Sequence, residues 1–183
     1  MSQGTSKTSP TDTIFFKVLL LGDPLVGKTS LRRCYMGELL SSTYIMTMGA
    51  DFSLKSQIID SVEVKMQVWD LAGQPKFREI RSMYFTGAQA AILVYDITKP
   101  STLMNLYQWH EDLLESCSCD VQLAVVGNKM DLEPKVTKEA GERFASEIGQ
   151  DTLHIWTSAR SGENVEFMFE TIGKRVYKDL WSE

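Results

Sequence analysis

Residues 22–30, "GDPLVGKTS", satisfy the spacing G-x-x-x-x-G-K-[ST]. Such a loop between a strand and a helix turns successive backbone N–H groups toward an anion, with the helix N-terminus behind them. Leu25, Val26, Gly27, Lys28, Thr29 and Ser30 form that cradle: Lys28 adds a point charge between the outer phosphates, and the Thr29 hydroxyl suits Mg²⁺. Pro24 has no N–H but precedes the cradle, where no donor is required. Three later stretches carry chemistry that a phosphate loop lacks. "WDLAGQ" sets Asp70 to hold Mg²⁺ through a water, Gly73 to offer its N–H to a terminal phosphate and Gln74 to orient an attacking water. "NKMD" contains Asp131, whose carboxylate can accept the ring N–H and the exocyclic amine of guanine, a pair of donors that adenine lacks. "TSAR" sets Ser158 to buttress Asp131 and Ala159 to offer an amide to the guanine carbonyl.

These residues need a scaffold that gathers strand ends. From Ile14 onward, short apolar runs alternate with amphipathic ones: "FFKVLLL" then "TSLRRCYM", "AAILVYD" then "LMNLYQWHEDLL", "VQLAVVG" then "KEAGERFASEI", "LHIWTS" then "VEFMFETIGKRVYKDL". Continuous apolar strands separated by helices specify a parallel sheet covered on both faces, with ligands at the carboxyl ends of its strands. In the last helix Val165, Met168, Phe169, Ile172, Val176 and Leu180 form one core-facing stripe. Between Ile58 and Trp69 no helix intervenes. There "VEVKMQVW" alternates, with Val62, Val64, Met66 and Val68 on one face and Glu63, Lys65, Gln67 and Trp69 on the other. With Asp60-Ser61 as the turn, this is a hairpin that adds an antiparallel edge strand. Trp69 then points away from the core, either covered by a neighbouring helix or exposed as a recognition site.

At 183 residues the chain suits one domain, and a net charge of −5 with no basic tract makes nucleic acid an unsuitable partner. Cys34, Cys117 and Cys119, without a signal peptide, fit a reducing, cytosolic setting better than a disulfide framework. No stretch reaches the ~18 apolar residues of a membrane span. Residues 1–13 are Ser/Thr-rich and read as a flexible tail, residues 14–180 as the domain and 181–183 as its end.

The motifs "GDPLVGKTS", "DLAGQ", "NKMD" and "SAR", in this order, resemble those of Ras-superfamily small GTPases. "YIMTMGADF" and "WDLAGQPKFREIRSMYFTGA" are similar to the two switch regions of the Rab branch. The resemblance implies a single P-loop NTPase domain of α/β class, with a mostly parallel six-stranded sheet. It implies GTP and GDP as substrate and product and Mg²⁺ as cofactor. It makes Thr47 a ligand of both Mg²⁺ and the terminal phosphate, and extends the base site through Asn128 and Lys129 to Arg160. It makes Phe52, Trp69 and Tyr84 an effector-reading triad; core packing is the alternative for Phe52 and Tyr84. It also implies effectors, an exchange factor and an activating protein as partners of a monomer. The implied setting is cytoplasmic, with attachment to endomembranes only through a lipidated tail. The chain departs from the family at Leu40, where an aromatic edge meets the guanine, and at Pro75-Lys76 after Gln74; the family's cysteine-bearing tail is not among these residues, either trimmed away or not part of the protein.

The implied mechanism is phosphoryl transfer by positioning and electrostatics: Lys28 and Mg²⁺ neutralise charge while Gln74, Thr47 and Gly73 hold water and phosphate. No arginine lies between Gly37 and Phe52, so hydrolysis is expected to be slow without a partner. Two other readings stand beside the GTP-driven switch: a GTP-binding scaffold that hardly turns over, and an ATP-dependent kinase, which leaves "NKMD" unexplained.

Overall fold

In the computed structural model, residues 14–39, 47–74, 77–117 and 121–181 are described, without the side chains of 78–81 and 181. The tail 1–13, Leu40, Pro75-Lys76, Cys119 and residues 182–183 lie outside the described residues. β1 (Ile14–Leu21) turns Phe16 and Val18 to one side of the sheet and Leu19 and Leu21 to the other, with all four buried. A strand apolar on both sides must lie in the middle of a covered sheet. It pairs in parallel with β3 (Val62–Leu71) and β4 (Ala90–Asp96), and β5 (Gln122–Asn128) and β6 (Leu153–Thr157) continue the parallel run.

β2 (Ala50–Ile59) is antiparallel to β3 and closes one edge, giving the order β2-β3-β1-β4-β5-β6. The expected architecture is present. Ile59 faces Val62 across a two-residue turn in which Asp60 and Ser61 both have positive φ, the geometry of a type I′ hairpin. Val64, Met66 and Val68 are buried and Trp69 is half-buried on the other face.

Helices cover both faces. α1 (Lys28–Met36) and α6 (Val165–Trp181) enclose a core of Leu31, Tyr35, Met168, Phe169 and Ile172 against β1, β3, β4 and β5. Opposite lie α2 (Arg78–Phe85), α3 (Pro100–Met104), α4 (Leu106–Ser116) and α5 (Lys138–Ile148), packed through Phe85, Leu103, Leu106, Trp109 and Phe144.

Two helices differ from the sequence expectation. The single helix expected over "LMNLYQWHEDLL" is two, broken at Asn105, whose side-chain Nδ2 donates to Asp23 Oδ2 at 2.7 Å. That bond to the phosphate loop engages the side chain that could have capped α4. The stripe on α6 ends at Val176: Leu180 is 51% exposed, because Asp179 already meets Gln122 at the start of β5 and the final turn passes the end of the sheet. α2 has no counterpart among the helices expected from periodicity.

Candidate nucleotide and metal site

The loop after β1 holds its shape through contacts that few residues permit. A Cβ on Gly22 would stand 2.2 Å from the Val94 carbonyl oxygen, and one on Gly27 would stand 2.2 Å from Asn128 Nδ2. Leu25 lies between them with φ +68°, a left-handed conformation in a non-glycine residue. Val26 is buried, whereas Pro24 and Leu25 face solvent. α1 begins at Lys28 with no side-chain cap and no acid in its first turn, so its free N–H groups and positive end suit an anion. Lys28 Nζ donates to the carbonyls of Gly22 at 2.6 Å and Asp23 at 2.8 Å, which holds the ammonium across the loop. Ser30 is half-buried in the first turn of α1.

Three oxygens from three elements meet beside this loop. Thr29 Oγ1 donates to Asp70 Oδ2 at 2.5 Å, Thr47 Oγ1 donates to the same atom at 3.3 Å, and the two hydroxyls are 3.0 Å apart. Asp70 has no exposed surface, and its Oδ1 is buried without a partner among the described residues. Burial raises the Asp70 pKa; the bond from Thr29, the charges of Lys28 and Arg32 and the bond from Thr47 pull against it. A desolvated carboxylate with an unused oxygen, flanked by hydroxyls, is a donor set for a hard divalent cation that keeps some of its waters. Mg²⁺ fits these residues. Among the described residues no cluster of three or more His, Cys, Asp or Glu offers a different metal site.

Gly73 lies against the loop itself: a Cβ there would be 2.5 Å from Pro24 N and 2.6 Å from the Asp23 carbonyl carbon. Gln74 follows, with its Oε1 buried and unpartnered among the described residues.

One amide joins the ends of β5 and β6 to the loop after β1. Asn128 is 1% exposed; its Nδ2 donates to the Val26 carbonyl at 2.9 Å, and its Oδ1 accepts from Ala159 N at 3.1 Å and Thr157 Oγ1 at 3.3 Å. Ser158 Oγ donates to Asp131 Oδ1 at 2.6 Å, which orients an otherwise exposed carboxylate. Lys129, at φ +75°, donates from Nζ to Asp96 Oδ2 at 2.5 Å. Burial acts to raise the Asp96 pKa, but bonds from Lys129 and Thr98 outweigh it and leave the carboxyl below its ordinary value. Arg160 is exposed just beyond Ala159.

The aromatic residues also meet. Phe52 stacks on Trp69 with centroids 5.0 Å apart, Tyr84 is 5.8 Å from Trp69, and Lys17 Nζ lies 4.9 Å from the Trp69 ring. Trp69 is neither fully covered nor fully exposed, while Phe52 is 56% exposed and so is not core.

Several supporting residues were not anticipated. Asp23 accepts from Trp109 Nε1 at 3.1 Å and from Asn105, which braces the phosphate loop against α4. Asp96 and Thr157 complete the cluster around Lys129 and Asn128. Asp96 carries a readable signal, since it ends an apolar strand in register with Asn128, at the edge where such sheets bind ligands. Asp23, Asn105 and Trp109 carry none, because their contacts join distant positions.

This sheet order, with its glycine loop leading into α1, defines a Ras-type P-loop NTPase fold. A model of the Ras family matches residues 17–178, and the chain belongs to that family: it is a small GTPase, an enzyme that hydrolyses GTP. It is 40% identical over 167 residues to the human Ras-related protein Rab-8B, covering 90% of this chain and 80% of that one. It is 39% identical over 165 residues to the Ras-related protein SEC4 of Saccharomyces cerevisiae, covering 90% and 76%. Among the described residues no helix is long and apolar enough to cross a membrane.

Proposed function

We propose that the protein is a GTP-driven molecular switch of Rab type that acts in membrane traffic or signalling through effector proteins. The carrying observation is the convergence of Thr29, Thr47 and Asp70 beside the Lys28 loop. Thr29 and Thr47 would hold Mg²⁺ directly and Asp70 through a water, and the ion would supply charge neutralisation at the phosphates. Leu25–Ser30 bind the phosphates through their amides, with Lys28 on the outer pair. Asn128, Lys129, Asp131, Ser158, Ala159 and Arg160 receive the guanine. Gln74 aligns a water in line with the leaving diphosphate, Gly73 N–H steadies the terminal phosphate, and the bond to the bridging oxygen breaks as the water oxygen attacks phosphorus.

Thr47 and Gly73 both belong to segments joined to the hairpin that carries Phe52 and Trp69. Loss of the terminal phosphate releases these two contacts, and the surface formed by Phe52, Trp69 and Tyr84 changes with it. Effectors read that surface, while an exchange factor and an activating protein set the timing.

Single-turnover hydrolysis of GTP by the purified protein, beside Gln74→Leu and with the bound nucleotide identified chromatographically, tests the reading. The expected result is co-purified guanine nucleotide, with a wild-type rate at least about tenfold above the variant, a barrier difference of ~1.4 kcal/mol. Equal rates even with candidate activating proteins present, with guanine nucleotide bound, would favour a GTP-binding scaffold, and bound adenine nucleotide would overturn the base assignment.

A further inference from the structure

α1 carries Thr29 and, three positions later, Arg32, so both side chains leave the same side of the helix. Arg32 is a buried charge, with a side chain 7% exposed. Its Nη1 donates to Ser53 Oγ, its Nη2 lies 3.1 Å from Asp51 Oδ2, and Nη1 lies 3.7 Å from Glu38 Oε1. Asp51 and Ser53 open β2, and Thr47 stands four residues before Asp51. Between them Gly49 accepts from Ala72 N at 2.8 Å, next to Gly73. Beside the contact between the two threonine hydroxyls, the chain that delivers Thr47 is therefore held toward α1 by the Arg32 guanidinium and toward β3 by the Gly49 bond and the β2–β3 ladder.

We propose that Arg32 is a positioning residue for the Thr47 hydroxyl: by gripping Asp51 and Ser53 from the helix that carries Thr29, it sets the distance between the two threonines. The inference rests on the reading of Thr47 as a metal ligand. A guanidinium stays charged at any working pH, and once buried it strongly favours the arrangement that keeps its partners in place. Its planar fork reaches a hydroxyl and a carboxylate together, which an ammonium cannot do with the same geometry. Its charge also draws on Asp70, the third member of the oxygen cluster.

The test measures release of fluorescent GDP and of a fluorescent non-hydrolysable GTP analogue across a Mg²⁺ titration, for Arg32→Met, Arg32→Lys, Asp51→Asn and Thr47→Ala. Amide exchange at residues 49–53 in the nucleotide-free protein is the companion measurement. Arg32→Met and Asp51→Asn are expected to speed release of the GTP analogue about tenfold and of GDP by no more than about threefold. Arg32→Lys restores only part of the difference, and exchange at Phe52 and Ser53 rises in Arg32→Met. A purely structural role would speed both releases alike. If Thr47→Ala leaves the ratio of the two releases unchanged, the metal-ligand reading falls and this inference with it. If Thr47→Ala moves the ratio while Arg32→Met and Asp51→Asn do not, the reading stands and the role of Arg32 is overturned. Should Arg32→Met fail to fold, Asp51→Asn decides the same question, since it leaves the arginine in place.

Discussion

Pro24 and Leu25 are the unusual residues of the phosphate loop, and their conformations differ in consequence. Leu25 occupies the left-handed region at φ +68°, where a Cβ costs on the order of 1–2 kcal/mol, yet its side chain is in solvent and clear of the cradle. Pro24 keeps a permitted conformation and gives up only an N–H. What it does touch is Gly73, the residue whose amide the mechanism assigns to the terminal phosphate. Pro24→Gly is therefore expected to leave nucleotide affinity within about tenfold, roughly 1.4 kcal/mol. Its hydrolysis rate or response to an activating protein should change by more than that. Equilibrium nucleotide titration beside single-turnover hydrolysis separates the two effects. A collapse of affinity would place the proline inside the cradle.

At the scale of elements, α5 carries the sharpest constraint outside the site. Thr137 caps it, accepting from Ala140 N at 3.3 Å, and Gly141 follows one turn in. Helix propensity alone favours alanine over an interior glycine by about 1 kcal/mol. Here a Cβ at position 141 would lie 2.2 Å from His154 Nε2 and 2.4 Å from the Tyr95 hydroxyl, an aromatic polar cluster that Trp156 Nε1 joins at 3.0 Å. Gly141→Ala is expected to destabilise the protein by about 1–3 kcal/mol, as overpacking does, and denaturant unfolding measures it. That clash is not legible in the sequence, where Gly141 reads as a weak point in an amphipathic helix. The elements that were legible have local causes: apolar strands, a strict alternation in "VEVKMQVW", and motifs whose residues are near neighbours. The break at Asn105 and the bracing of Asp23 by Trp109 depend on partners 82 and 86 positions away, beyond the reach of periodicity. Asp96 and Lys129 form an ion pair that only the register of β4 with β5 brings together.

For the whole molecule, the sheet separates two apolar compartments, and the Tyr95, His154 and Trp156 cluster lies in the one beneath α5. Burial, aided by the charge of Lys138, lowers the His154 pKa from its ordinary 6.5 to about 4. Between those values the unfolded chain binds a proton that the folded chain refuses. Stability is thus unaffected by His154 above about pH 6.5 and declines as pH falls toward 4. After allowance for screening of a half-buried ring the loss is of order 1–2 kcal/mol. His154→Gln retains an acceptor for Tyr95 and has no such titration. Thermal midpoints between pH 4 and 7 should fall more steeply for the wild type than for the variant, and parallel curves would exclude His154 as the cause. Elsewhere in the molecule Asn128 joins Val26 in the loop after β1 to Thr157 and Ala159 at the end of β6, tying its own strand end to two other stretches of chain. The loops after β5 and β6 are consequently no transplantable cassette. A chimera that exchanged "NKMD" or "TSAR" with a relative would have to import a compatible phosphate loop as well, because the Asn128 amide spans both.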